Sequence, residues 1–281
     1  MDEIYQKICP YPKTKRLFCK ANGIKFYVER EGDGPPLVLI HGGPGGNHYY
    51  FHPQLSRLAK FRTLFYYDLR GHGLSSSPTN QWDYGVIQDT KDLEALRTAL
   101  NLDEIDVFGH SYGGIVAFNY GLTYPTYVKH LIFCSTPIDI TDEEGDKLLE
   151  LNPIAKELEC ATSEQKKVEL YYKLYFHKPL KPEDYYDQEI TRHSFLTKQS
   201  KNIIIAYERD IFEPDWKYLS HIKKPMLFLY GKFDPLAILE RIKNITSQLN
   251  NAQLVIFSES GHDPFVDEPE LFEEVVRSFL V

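Results

Sequence analysis

The sequence predicts a doubly wound α/β domain: a mostly parallel sheet of about eight strands with helices on both faces, interrupted by a helical insertion after the sixth strand. Two observations predict it. Short apolar runs alternate with segments of helical periodicity along most of the chain, which is the pattern of strands and crossover helices in a parallel sheet. The alternation stops at residue 135, gives way to a charged, tyrosine-rich stretch over residues 142–215, and then resumes.

Residues 17–20 and 24–31 are extended and aromatic-rich, and a turn over residues 32–36 leads into the apolar run 37–40, so two antiparallel strands precede a buried one. Strands are expected next at 63–67, 105–108 and 128–134. Helices are expected at 84–101, where Leu93, Leu96 and Leu100 share a face, and at 115–124. After the insertion, strands at 226–230 and 254–257 are each followed by an amphipathic helix, at 236–249 and 269–280. No internal repeat, low-complexity tract or interdomain linker stands out.

The composition allows a large core. Of 281 residues, 42% are hydrophobic and 26% charged, close to the globular average and far from a disordered or fibrous chain. With 32 basic against 40 acidic residues the net charge is −8, which disfavours the basic face a nucleic-acid partner needs. Residues 1–10 lack an apolar run of signal-peptide length, and no stretch of about 18 uninterrupted apolar residues occurs, so a cytoplasmic protein without membrane spans is expected. Cys9, Cys19, Cys134 and Cys160 show neither a metal-knuckle spacing nor a disulfide density, and are read as reduced thiols.

The strongest local signal is Gly109-His110-Ser111-Tyr112-Gly113-Gly114, a GxSxG pattern where an expected strand passes into a helix. A serine nucleophile needs to stand at the tip of a tight strand-to-helix turn, and glycines on either side leave room for the neighbouring elements. Such a serine needs a base, and the base an acid that fixes its tautomer. Asp234 follows the strand 226–230 and His262 follows the strand 254–257, in the chain order Ser, Asp, His. Strand ends of a parallel sheet lie on one rim, so Ser111, Asp234 and His262 are expected to converge there. Asp263 and Asp210 stand as fallback acids, and His110 is expected to pack beneath the serine.

His41-Gly42-Gly43-Pro44-Gly45-Gly46 follows the strand 37–40 and lacks both a P-loop lysine and dinucleotide-binding glycine spacing. It is read instead as the loop that donates a backbone N–H to a developing oxyanion, with Gly43 and Tyr112 as the two donors. The segment 67–75, with Asp68 and Arg70, is read as a structural turn shaping the floor of the site.

Together these motifs resemble the α/β-hydrolase superfamily over nearly the whole chain, and HGGPGG followed by GHSYGG looks most like the proline iminopeptidase family of serine peptidases. The resemblance implies a core over residues 1–135 and 217–281 and a helical cap over 136–216, to which stretches 171–177 and 183–186 correspond. It further implies cofactor- and metal-free cleavage of a peptide or amide bond after a free N-terminal residue, with a small molecule or short peptide as substrate. Relatives place amine-binding glutamates on the last cap helix, and Glu208 and Glu213 are the candidates. Residues 136–220 hold 18 acids against 12 bases, which suits a cationic substrate. One departure stands out: some relatives carry a glutamate after the triad acid, where this chain has Pro235. A carboxylesterase or lactonase, or a carbon–carbon bond hydrolase, using the same triad is therefore the alternative. A non-catalytic ligand receptor is the remote one, disfavoured by the intact triad. Oligomeric state is left open, a monomer being compatible with all of these.

Overall fold

A computed structural model describes residues 14–43, 45–80, 83–178, 203 and 214–281. One eight-stranded sheet runs through it in the order β1-β2-β4-β3-β5-β6-β7-β8. The strands are β1 (Lys15–Ala21), β2 (Ile24–Glu31), β3 (Pro36–Ile40), β4 (Thr63–Tyr67), β5 (Ile105–His110), β6 (Val128–Cys134), β7 (Met226–Gly231) and β8 (Ala252–Phe257). β1 pairs antiparallel with β2, and β2 with β4; every other pairing is parallel. This is the sheet expected from the alternating runs.

The parallel strands are buried on both faces, which is why they read as continuous apolar runs. Val38, Ile40, Phe65, Val107, Phe133 and Phe228 belong to one core, while Leu37, Leu39, Leu64, Phe108, Ile132 and Leu227 belong to the other. Helices α1 (Val86–Ala99) and α2 (Tyr112–Thr123) supply Leu93, Leu96, Val116 and Ala117 to the first core. Phe272, Val276 and Leu280 of the C-terminal helix Pro269–Leu280 fill the second, at the i, i+4, i+8 spacing of one helix face.

After β6 come α3 (Asp142–Leu151), α4 (Pro153–Cys160) and α5 (Glu164–Tyr175), where a helical insertion was expected. Asn152 caps α4 through its side chain and Thr141 closes a capping box with Glu144 on α3, so each start is written in the sequence. The expected stretch 171–177 is the end of α5, which stops at Tyr175; 183–186 falls outside the described residues. Arg241 ties this segment to the core, bonding the Asp139 carbonyl at 2.6 Å and both Glu144 carboxylate oxygens at 2.6 and 2.8 Å.

Most boundaries shift by one or two residues from the sequence reading, and two helix starts beside the cavity shift by three. The helix expected over 236–249 is α6, Leu239–Ser247, because Asp234 Oδ1 accepts the Leu236 N–H at 2.9 Å and turns the chain before the helix begins. The helix expected from 115 begins at Tyr112, directly after Ser111. The last two helices are α7 (Pro264–Asp267) and α8 (Pro269–Leu280).

Candidate active site

From β3 the chain crosses to β4 on one side of the sheet, whereas β5, β3's other neighbour, leads to β6 on the opposite side. Between β3 and β5 the winding reverses, and the crevice above such a reversal is where open α/β sheets bind ligands. Ile40 and Gly109 are register partners there, so the glycine loop after β3 and the turn after β5 leave the sheet side by side.

Ser111 occupies that turn at φ 52° and ψ −121°, a strained conformation for a residue with a side chain. The glycines around it are required by contact. A Cβ on Gly109 would run into the backbone of Gly113, one on Gly113 into the Ile40 carbonyl, and one on Gly114 into Thr136. On the other side Gly42 lies against Ser111, so a Cβ there would sit 3.1 Å from the serine Cβ. Tyr112 opens α2, which places its N–H outside the helix's own hydrogen-bond ladder.

Asp234 and His262 come from the loops after β7 and β8, and backbone bonds zip those loops together: Lys232 N–H to the Phe257 carbonyl at 2.8 Å and Phe233 N–H to the Ser260 carbonyl at 3.0 Å. Gly231 has no room for a Cβ against Ser260 and Gly261. The outcome is a 2.9 Å bond between His262 Nδ1 and Asp234 Oδ1, both side chains being buried. Burial by itself would drive the proton off His262, but the charge and hydrogen bond of Asp234, with Asp263 nearby, outweigh it and hold the pKa above the ordinary histidine value. Asp263, the fallback acid, instead faces His110 Nε2 at 3.4 Å. Asp210, the other, lies outside the described residues, as do Glu208 and Glu213.

Two further contacts fix the His262 backbone. Its N–H donates to the Tyr175 carbonyl at 2.7 Å, and its carbonyl accepts from His110 Nε2 at 3.1 Å. A carbonyl only accepts, so His110 carries its proton on Nε2 and its Nδ1 accepts the Tyr50 hydroxyl at 2.7 Å. The Tyr50 oxygen in turn accepts the Gly42 N–H at 2.6 Å. Burial holds His110 well below the usual histidine pKa, so it stays neutral and serves as a brace between the glycine loop and His262.

The glycine loop is also held from below. His41 donates Nδ1–H to the Gly42 carbonyl at 2.7 Å and accepts the Leu69 N–H at 3.1 Å, while His72 accepts the Gly45 N–H at 3.0 Å. Burial keeps both rings neutral, with pKa values near 3 and 4. The turn that carries Leu69 and His72 is organised by Asp68, which accepts the His48 and Leu74 N–H groups, and by Arg70, which bonds both Asp92 oxygens at 2.6 Å. This is the structural turn the sequence suggested.

A cavity of about 310 Å³ lies over these groups. Gly42, Gly43, Ser111 and His262 line its base, and Tyr171, Tyr172, Tyr175 and Phe176, from α5 and its end, form an aromatic wall. Asp263 is the carboxylate on this lining. The structure thus brings Ser111, His262, Asp234 and the Gly43 loop to one place. Sequence reasoning missed Tyr50, Tyr175 and Asp267. Asp267 accepts the His177 and Lys178 N–H groups at 3.0 Å and the Gly261 N–H at 2.8 Å, so it clamps the end of the inserted segment to the His262 loop.

Residues 35–269 match the family described as alpha/beta hydrolase fold. The chain belongs to the α/β-hydrolase family. Among curated proteins, this α/β-hydrolase is 27% identical over 270 residues to the proline iminopeptidase of Heyndrickxia coagulans, covering 90% of this chain and 92% of that one. It is 28% identical over 292 residues to the proline iminopeptidase of Saccharolobus solfataricus, covering 95% and 91%. Among solved structures, an esterase from Exiguobacterium antarcticum superposes with a TM-score of 0.74 at 26% identity, over 94% of this α/β-hydrolase and 99% of that chain. Among the described residues, no helix is long and apolar enough to cross a membrane.

Proposed function

We propose that this hydrolase is a serine aminopeptidase of the proline iminopeptidase type, acting through an acyl-enzyme on Ser111. The observation that carries the reading is the buried His262–Asp234 pair, set on the same cavity as a serine held at positive φ. Asp234 fixes the Nδ1–H tautomer and leaves Nε2 as the base. His262 takes the Ser111 proton as the oxygen attacks the scissile carbonyl, and the N–H groups of Gly43 and Tyr112 hold the oxyanion. The imidazolium then protonates the leaving amine, and water activated by His262 releases the acyl group.

The substrate in this reading is a short peptide or amide with a free N-terminus. Its support is the similarity to two proline iminopeptidases along almost the full chain, and the acidity of the inserted segment. A charged amine leaving water needs a carboxylate or an aromatic face. Asp263 and the tyrosines of α5 supply both at the cavity, and Glu208 and Glu213 are the further candidates. A specific observation favours an esterase as the second reading. The wall over Ser111 is aromatic, Pro235 stands where some relatives carry a glutamate, and the Exiguobacterium protein of similar fold is an esterase.

Hydrolysis of a prolyl or alanyl anilide, its N-acetylated form and a short-chain nitrophenyl ester by the wild type and Ser111→Ala decides between them. Cleavage of the free-amine anilide alone among the amides, lost in Ser111→Ala, is the expected result, with Glu208→Gln and Glu213→Gln raising KM. Turnover of the ester alone overturns the aminopeptidase reading in favour of the esterase.

A further inference from the structure

Apart from the cavity, a second cluster of ligand-type side chains lies where β2 meets the 3₁₀ helix His48–Phe51. Glu29 is 2% exposed and His48 1%, with His52 buried beside them. His48 Nε2 stands 3.7 Å from Glu29 Oε1, and His52 Nε2 stands 3.4 Å from Glu29 Oε2. One donor atom from each of the three residues falls within 4.8 Å of the others. Glu29 Oε2 and His48 Nε2 are buried without a hydrogen-bond partner, although both face the cluster.

The far side of each ring is tied down. His48 Nδ1 bonds Asp68 Oδ1 at 2.7 Å, and His52 Nδ1 bonds Ser56 Oγ at 3.1 Å. Glu29 Oε1 accepts the Tyr27 hydroxyl at 2.6 Å and is approached by Arg16 Nε at 3.5 Å, which leaves Oε2, 3.4 Å from His52 Nε2, as the carboxylate oxygen with no hydrogen bond. Imidazoles whose outer nitrogen is held by a carboxylate or hydroxyl while the inner nitrogen points at a shared centre have the arrangement of metal ligands with their supporting shell. A tetrahedral ion with ligands at about 2.0–2.2 Å sets donor atoms about 3.3–3.6 Å apart, a spacing the His52 Nε2–Glu29 Oε2 approach of 3.4 Å already has and the other donors, within 4.8 Å, reach by small side-chain rotations.

We propose that Glu29, His48 and His52 form a structural site for a divalent first-row transition ion of the zinc class, with Asp68 and Ser56 as supporting groups. Two imidazoles and one carboxylate suit such an ion better than magnesium or calcium, which take oxygen ligands. Two positive charges also match the carboxylates of Glu29 and Asp68 in a buried place. The site joins β2 to the helix that carries Tyr50, and so supports the Gly42 loop without touching substrate; none of its three ligands lines the cavity. It is independent of which bond the enzyme cleaves.

The test is a titration of the metal-stripped full-length chain with CoCl2, read by visible d–d absorption, followed by back-titration with ZnCl2. One equivalent of tightly bound cobalt, displaced by one equivalent of zinc that also raises the melting temperature, is expected. His52→Gln should weaken cobalt binding at least hundredfold, and the milder Ser56→Ala about tenfold. Non-saturating uptake by the wild type up to millimolar cobalt overturns the site and leaves a proton-held cluster, an imidazolium between Asp68 and Glu29. Stoichiometric uptake that Ser56→Ala, Glu29→Gln and His52→Gln all leave unchanged overturns it equally, by placing the ion elsewhere.

Discussion

The carbonyl of Tyr175 accepts the backbone N–H of His262 at 2.7 Å, across 87 positions of sequence. The last residue of α5 therefore positions His262, the proposed base, directly, and the ring of the same tyrosine stands 5.4 Å from the imidazole. Gly261 makes this approach possible, since a Cβ there would collide with the Tyr175 carbonyl. Gly261→Ala should accordingly lower kcat/KM by about a hundredfold, the scale of a misplacement near 1 Å. Steady-state kinetics beside a melting curve separate this from unfolding: kcat/KM falls in protein that still melts cooperatively.

Asp267 holds the same junction from the other side. Asp267→Asn replaces one of two accepting oxygens by a donor, so the N–H groups of His177, Lys178 and Gly261 compete for a single acceptor. Amide exchange at these three positions should quicken about tenfold or more, which is a local loss of roughly 1.4 kcal/mol. Hydrogen exchange by mass spectrometry reads it, with the β5 and β6 amides as the unchanged control.

Ser111 stores strain for presentation. Both Ser111→Ala and Ser111→Gly should lose turnover by about 10⁴-fold or more, but only glycine relaxes a φ of 52°. Ser111→Gly should be more stable than Ser111→Ala by about 1 kcal/mol, measured by urea denaturation of the two inactive variants.

The pH dependence follows from the His262–Asp234 pair. The base works neutral, and its pKa is held above the ordinary histidine value, so the acid limb of kcat/KM should lie above about 6.5. Asp234→Asn removes the main charge that raises it and leaves burial, which lowers it; the limb should move to lower pH while the rate drops by about 10⁴-fold. Linkage gives a second readout. A pKa raised in the folded state adds stability that is full below the unfolded value and is lost as pH rises through the folded one. The stability gap between wild type and Asp234→Asn should therefore be full below about pH 6.5 and narrow as the pH rises through the raised folded-state value, as followed by denaturant melts.

Much of this was legible in the sequence because its signals are local. The GxSxG turn, the HGG loop and the positions of Asp234 and His262 just past apolar runs need only strand ends to be recognised, and β5, β7 and β8 end where they must. Tyr50, Tyr175 and Asp267 left no such trace. Each works through a contact made across the fold, Tyr50 with His110 over 60 positions and Asp267 with His177 over 90. The start of α6 was misplaced for a related reason, since amphipathic spacing cannot show that Asp234 will take the Leu236 N–H for a turn. The Glu29–His48–His52 cluster was likewise invisible, because β2 and the 3₁₀ helix meet only through the tertiary fold.

In the proposed mechanism Ser111 is the nucleophile and the His262–Asp234 pair activates it. Labelling with a fluorophosphonate, quantified by intact mass and mapped by peptide sequencing, tests this most directly and without a choice of substrate. One adduct on the peptide carrying Ser111, absent from Ser111→Ala and formed far more slowly by Asp234→Asn, is the predicted result. Hydrolytic protein that takes no label, or takes it at another residue, would rule out Ser111 as the nucleophile.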